Sequence, residues 1–187
     1  MQVLKKEIYK AIEDNALKLF KQFSYEGANI DIIAEKANIS TGNVYRYYKN
    51  KRAIYDKVTS RAYEMLDEAA DQILEKEEIK SEEIIETIIN IYEKEKSEII
   101  ILLGVKNTIN KGLLEKYEKI FVKTFEKGED NYLNEVYGKS MFYAFRVMID
   151  KEHSSSKLND SLKKYVRNYW GILENYLLKK YKEMPDF

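Results

Sequence analysis

Apolar residues in the first part of the chain fall at Val3, Leu4, Ile8, Ala11, Ile12, Ala16, Leu17, Phe20 and Phe23, spaced mostly by threes and fours. That spacing lines one face of a helix and stops near Gly27. A shorter stripe follows at Ile30, Ile33, Ala34 and Ala37. Asn29 is placed to cap it, and Asp31 sits in its first turn, where a carboxylate meets the positive end of the helix dipole. This helix ends near Asn38. Ser40 then stands where it can cap a third short helix, Thr41 to Tyr48, and Asn50 where it can cap a fourth, Lys51 to about Leu74.

Beyond Glu75 a charged stretch, Lys76 to Lys80, separates that helix from Ser81, a candidate cap followed by Glu82 and Glu83. Ile84, Ile85, Ile88, Ile89, Ile91 and Tyr92 make the next stripe. The run Ile99 to Leu103 is β-branched enough for a short buried strand, but its place between helical patterns and before Gly104 favours a helix end. Two more long helical patterns, Leu113 to Phe125 and about Tyr132 to Ile149, have Gly112 and Gly128 near their breaks. His153 to Ser156 reads as a loop, and Leu158 to Tyr181 as the last long helix. The pattern predicts an all-α chain: a small N-terminal helical unit over residues 1–50, then a larger helical domain over 51–187 whose first helix, 51–75, links the two.

Composition agrees with helix. Proline occurs once, at Pro185, and the 7 glycines are scattered through 187 residues. Cysteine is absent, which excludes disulfides, thiol nucleophiles and cysteine zinc sites. The first ten residues carry charge where a signal peptide would be apolar, and no apolar run is long enough for a membrane span, so a soluble, cytoplasmic protein is expected. The formal net charge is zero, yet it is unevenly spread. Between positions 36 and 61 stand Lys36, Arg46, Lys49, Lys51, Arg52, Lys57 and Arg61 against the single acid Asp56. Such a basic cluster on a neutral chain suggests a local polyanion site.

Two short helices joined by a tight turn, the second opening with small polar residues, form the layout in which a recognition helix enters the major groove of DNA. Ala34, Ile39 and Val44 lie where the two helices would pack together, leaving Thr41, Asn43, Arg46 and Tyr47 pointing outward. Asn reads adenine with two hydrogen bonds, Arg reads guanine or a phosphate, and Thr offers a hydroxyl or a methyl to a base edge. Gly42 allows close approach of the backbone. Tyr45, Tyr47 and Lys51 suit phosphate oxygens, which fix register without reading sequence. With Asn29, these residues are the candidate DNA-binding set.

The segment Asn29 to Lys51 resembles the DNA-binding signature of the TetR family of repressors. A short helix with Ile33-Ala34 leads to Ile39-Ser40, then Gly42, then Tyr45-Arg46-Tyr47-Tyr48, and the segment exits through Lys49-Asn50-Lys51. Tyr48 stands where Phe is more usual, and Asn38 where Gly often makes the turn; Asn tolerates the left-handed backbone such a turn requires. The resemblance is specific for roughly the first 60 residues. It implies a homodimeric regulator that binds a palindromic double-stranded operator and is released by a small-molecule effector. The alternative is a helical ligand-binding or adaptor protein of the same fold that no longer recognises an operator.

For the effector, Tyr92, Tyr117, Phe121, Phe142 and Phe145 are the candidate pocket residues, although rings at helical spacing also suit a plain core. The last two helices resemble the family's dimerising pair, with Phe142, Phe145, Val166, Tyr169, Trp170, Leu173 and Leu177 as the candidate seam and Gly138 and Gly171 allowing close helix approach. No metal or other cofactor is expected: the single histidine, His153, lies in a serine-rich loop beside Glu152 and near Asp150. An enzyme is not expected either. The chain has no phosphate-cradling glycine loop and no nucleophile elbow, and one histidine supports few acid-base constellations.

Overall fold

The computed structural model describes residues 2–125, 131–151 and 156–168. They form helices α1 (Gln2–Gly27), α2 (Ile30–Lys36), α3 (Thr41–Tyr47), α4 (Lys51–Leu74), α5 (Ser81–Lys94), α6 (Lys96–Leu103), α7 (Lys111–Lys123) and α8 (Asn131–Lys151), followed by a helical stretch at 156–168. The fold is all-α, with no strand among the described residues. None of the described helices is long and apolar enough to cross a membrane.

The buried side chains divide into two clusters that share α4. Near the N-terminus, Ile12, Ala16, Leu19 and Phe20 of α1 pack on Ile33, Ala34, Val44, Ile54 and Tyr55, with Ile101 of α6 closing the cluster from the far side. Further along α4, Leu66, Ala70 and Ile73 join the second cluster with Ile84, Ile88 and Tyr92 of α5, Leu102 of α6, Tyr117 and Phe121 of α7, and Phe142 and Phe145 of α8. A long amphipathic helix can serve both because its apolar stripe continues over six turns or so.

Three local features depart from the pattern read along the chain. Helix α1 reaches Gly27, but Ser24 breaks it with φ 64° and ψ 178°, turning the last residues away from the axis. The predicted long helix through the isoleucine run is two helices, parted at Glu95 (φ −131°, ψ 48°). Helix α6 is apolar on nearly every side, with Ile99, Ile101, Leu102 and Leu103 all buried, so it leaves the line of α5 and runs between the two clusters. Ser81 is the first residue of α5 and not its cap; Lys80 holds that position without a side-chain cap bond.

Three residues of the expected dimer seam are buried within the chain. Phe142, Phe145 and Val166 are 3%, 1% and 4% exposed and belong to this chain's own core. Gly138 likewise serves an internal contact: a Cβ there would lie 2.6 Å from the Val122 backbone nitrogen of α7. An apolar stripe shows that something covers a helix face, but not whether the cover comes from the same chain or a partner. Tyr169, Trp170, Gly171, Leu173 and Leu177 lie outside the described residues, as do His153 and the last turns of the predicted C-terminal helix.

The residues of the expected pocket are buried in the same way. The Phe121 ring lies 5.4 Å from both Phe142 and Phe145, and Tyr117 donates its hydroxyl to the Leu66 carbonyl at 3.0 Å. With Tyr92, all five are at most 3% exposed and fill the second core. Neither of the two cavities described below is lined by any of them.

Candidate nucleic-acid interface

The orientation of α3 is set by bonds that the sequence places one after another. The Asn29 side chain accepts the Asp31 amide at 2.8 Å and starts α2. At the other end, Asn38 adopts φ 56°, and the Ile39 amide donates back to the Ala34 carbonyl at 3.0 Å. Asparagine is one of the few side chains that takes this left-handed conformation readily. The Ser40 hydroxyl oxygen then accepts the Asn43 amide at 3.2 Å and starts α3, while Asn50 starts α4 by accepting the Ala53 amide at 2.8 Å. Val44, fully buried, anchors α3 against Ile33 and Ala34.

With Val44 inward, Gly42, Tyr45 and Arg46 are exposed and Thr41, Asn43 and Tyr47 half-buried. The outward face is therefore the one the sequence predicts. Nothing lies within 4 Å of a Cβ built on Gly42, so the surface there is open to an approaching backbone. Thr41 is held by its hydroxyl, which donates to Asp31 Oδ1 at 2.7 Å across the helix pair. The Tyr47 ring rests edge-on against Tyr9 of α1 with centroids 4.8 Å apart, which leaves its hydroxyl end as the part available to a partner.

Two of the candidates do other work. Asn29 spends its side-chain oxygen on capping α2. The Lys51 ammonium donates to the carbonyls of Tyr25 at 2.7 Å and Ala28 at 2.9 Å and lies 4.4 Å over the Tyr25 ring. It closes the broken C-terminal end of α1, where unpaired carbonyls and the negative end of the dipole favour a cation.

Residues outside the candidate DNA-binding set supply the rest of the support. Tyr48, 8% exposed, donates its hydroxyl to Glu13, and burial first, with that carboxylate second, pushes the phenol well above its ordinary range. Asn15 donates to the Lys36 carbonyl at 3.3 Å and ties the end of α2 to α1. These pairs are 35 and 21 residues apart, so no local spacing could have announced them.

The basic cluster is sorted by its partners. Arg52 pairs with Asp56 at 2.7 Å and Arg61 with Glu95 at 3.0 Å. Lys36, Arg46, Lys49 and Lys57 are exposed, and no ion pair engages them among the described residues. Free cations beside an open polar helix face are what a polyanion needs for contact without first breaking internal bonds.

Two cavities lie away from α3. A water-sized one of about 20 Å³ sits between the end of α1 and residues 106–109. At its rim Thr108 donates to Glu26, and that bond is the main reason the carboxyl sits below its ordinary 4.5. The larger is an open groove of about 450 Å³ between α4 and the start of α7, lined by Arg52, Asp56, Thr59, Tyr63, Ile109 and Lys111 among others. Behind it, Asn110 donates to the Tyr55 hydroxyl at 2.7 Å. No cluster of three potential metal ligands occurs among the described residues.

Comparison with known proteins bears on the same segment. Residues 12–58 match the family model for bacterial regulatory proteins of the tetR family. The chain is 32% identical over 66 residues to YhgD of Bacillus subtilis (strain 168), an uncharacterized HTH-type transcriptional regulator, covering 35% of each protein. It is 36% identical over 52 residues, 28% of each protein, to IcaR of Staphylococcus epidermidis, an HTH-type negative transcriptional regulator of a biofilm operon. The alignments thus span about a third of these relatives' length. Among solved structures, a TetR-like transcriptional regulator from Rhodococcus sp. RHA1 has the same fold, with a TM-score of 0.59 and 16% identity over 89% of this chain and 95% of that one. Residues 12–58 thus match the helix-turn-helix segment of the tetR family of bacterial regulatory proteins, and the all-α fold is shared with the TetR-like regulator over most of the chain.

Proposed function

We propose that the chain is a sequence-specific DNA-binding transcription regulator, a repressor that works as a homodimer on a palindromic operator and is released by a small molecule. The observation that carries this reading is the outward face of α3: Gly42, Asn43, Tyr45, Arg46 and Tyr47, held in place by capped helices and flanked by unpaired cations. Asn43 and Arg46 would read base edges, and Tyr45 and Tyr47 would position the helix on phosphates. The negative regulator among the relatives supports repression over activation.

A single recognition helix buries too little DNA for tight, specific binding, and two half-sites supply the remainder. Tyr132, Val136 and Tyr143, which are 72%, 38% and 62% exposed on the outer face of α8, support a seam there in place of the buried Phe142 and Phe145. For the effector, the groove between α4 and α7 has the volume of a small-ligand site and replaces the filled aromatic core as the candidate. A ligand wedged there would bear on α4, the helix shared by both cores, and so on the separation of the two recognition helices.

The test is retardation of a palindromic fragment taken from upstream of the protein's own gene. Asn43→Ala and Arg46→Ala are each expected to weaken binding by about 1–3 kcal/mol, with unchanged melting temperature. Unaltered affinity in both variants would overturn the assignment of α3 as the reading helix. Sedimentation at micromolar concentration tests the dimer.

A further inference from the structure

Helix α1 begins before the core it belongs to. From Lys5 onward its first fully buried side chain is Ile12, whereas Lys5, Lys6 and Lys10 are exposed and Ile8 and Tyr9 half-buried. Lys5 stands seven residues before Ile12 and so on the same, inward face of the helix.

The overhang has a definite neighbour. Tyr9, one turn after Lys5 and Lys6, packs edge-on against Tyr47 at 4.8 Å and Tyr48 at 5.6 Å, at the C-terminal end of α3. Arg46 and Lys49 are exposed at that same end. Among the acids of this part of α1, Glu13 is engaged by the Tyr48 hydroxyl, while Glu7 and Asp14 stand three before and four after Lys10 and form no ion pair with it among the described residues. None of Lys5, Lys6, Lys10, Arg46 and Lys49 has an ion-pair partner among the described residues.

We propose that Lys5, Lys6 and Lys10 on the α1 overhang form, together with Lys49, a second surface for the phosphate backbone of duplex DNA beside the groove that α3 reads. The proposal rests on the DNA-binding reading of α3 and extends it. Lysines on long flexible stems make point-charge contacts with phosphates, so this surface adds affinity and register and no sequence preference.

The experiment is a salt titration of binding, from 50 to 200 mM KCl, with the upstream fragment and a random duplex of equal length. It compares wild type with the triple variant Lys5→Gln/Lys6→Gln/Lys10→Gln, in which the exposed positions keep their helix propensity. Each lost phosphate contact lowers the slope of log K against log salt by about 0.9, so the triple variant, which removes three contacts from each subunit of the dimer, is expected to lose about 5 from the slope. The loss should be equal on both duplexes, leaving their affinity ratio unchanged. An unchanged slope while Asn43→Ala still weakens binding to the upstream fragment would overturn the α1 surface alone. A slope loss confined to the upstream fragment would overturn its sequence-neutral role. Wild-type protein that binds neither duplex would overturn both this surface and the DNA-binding reading beneath it. Circular dichroism of the variant, expected to match wild type, separates these results from misfolding.

Discussion

The helices of the N-terminal unit and those of the C-terminal body start in different ways. Asn29, Ser40 and Asn50 each cap their helix with a side-chain oxygen on a backbone amide, at 2.8, 3.2 and 2.8 Å. Lys80, Glu95 and Asn110, at the starts of α5, α6 and α7, make no such bond. Helices α2, α3 and α4 are thus fixed by chemistry within a few residues of each start, and α5, α6 and α7 by what they pack against. A surface that must meet the regular spacing of DNA profits from the first arrangement. A body that adapts to different ligands and partners is compatible with the second.

The sharpest way to separate the two regions is to empty the second core. Phe145 is 1% exposed and stacks among Phe121 and Phe142, so Phe145→Ala is expected to cost about 3–5 kcal/mol through lost burial and the cavity left behind. Denaturant unfolding followed by circular dichroism measures this. If the two cores are independent, a stable N-terminal fraction persists at denaturant concentrations that melt the variant's C-terminal body. A single shared transition would show that α4 couples them into one cooperative unit.

Lys51 tests the local side of the comparison. Its ammonium bonds to carbonyls of the broken α1 end, so Lys51→Met, which keeps most of the apolar stem, is expected to lower stability by about 1.5 kcal/mol. The salt slope of DNA binding should stay where it is. Undiminished stability with a slope smaller by about 1.8, one contact from each subunit, would return Lys51 to the phosphate contacts that its sequence position suggests.

The same contrast explains what could be read from the sequence. The α2–α3 unit was legible because every determinant is local: the caps Asn29 and Ser40, the left-handed Asn38, and Val44 as the inward residue of α3. Lys51 was placed at the start of α4, but its bonds to the carbonyls of Tyr25, Glu26 and Ala28 were not legible, because those residues stand 23–26 positions earlier. In the C-terminal body the helical periods gave the elements and little about their neighbours. Phe142, Phe145 and Val166 have the same apolar character whether they face their own core or a partner, and only the packing assigns them inward. The break at Glu95 had no proline or glycine to mark it; it follows from the need to bury α6 on several sides at once.

The smallest effect bears most directly on the difference between the regions. Asn50→Ala removes the acceptor for the Ala53 amide, and a lost N-cap typically costs about 1 kcal/mol. Lys80→Ala, at the equivalent position of α5, removes no cap bond from an exposed residue, so its melting temperature should match wild type. Differential scanning calorimetry of the two variants under one buffer gives the comparison, since both replace a flexible polar side chain by alanine just before a helix. The cap also orients the first turn of α4, next to α3, so Asn50→Ala should weaken binding of the upstream fragment at a temperature where the protein is still folded. Equal stability losses in both variants would mean that Lys80 restrains α5 as firmly as Asn50 restrains α4. The division between a locally fixed reading unit and a packing-fixed body would then fail.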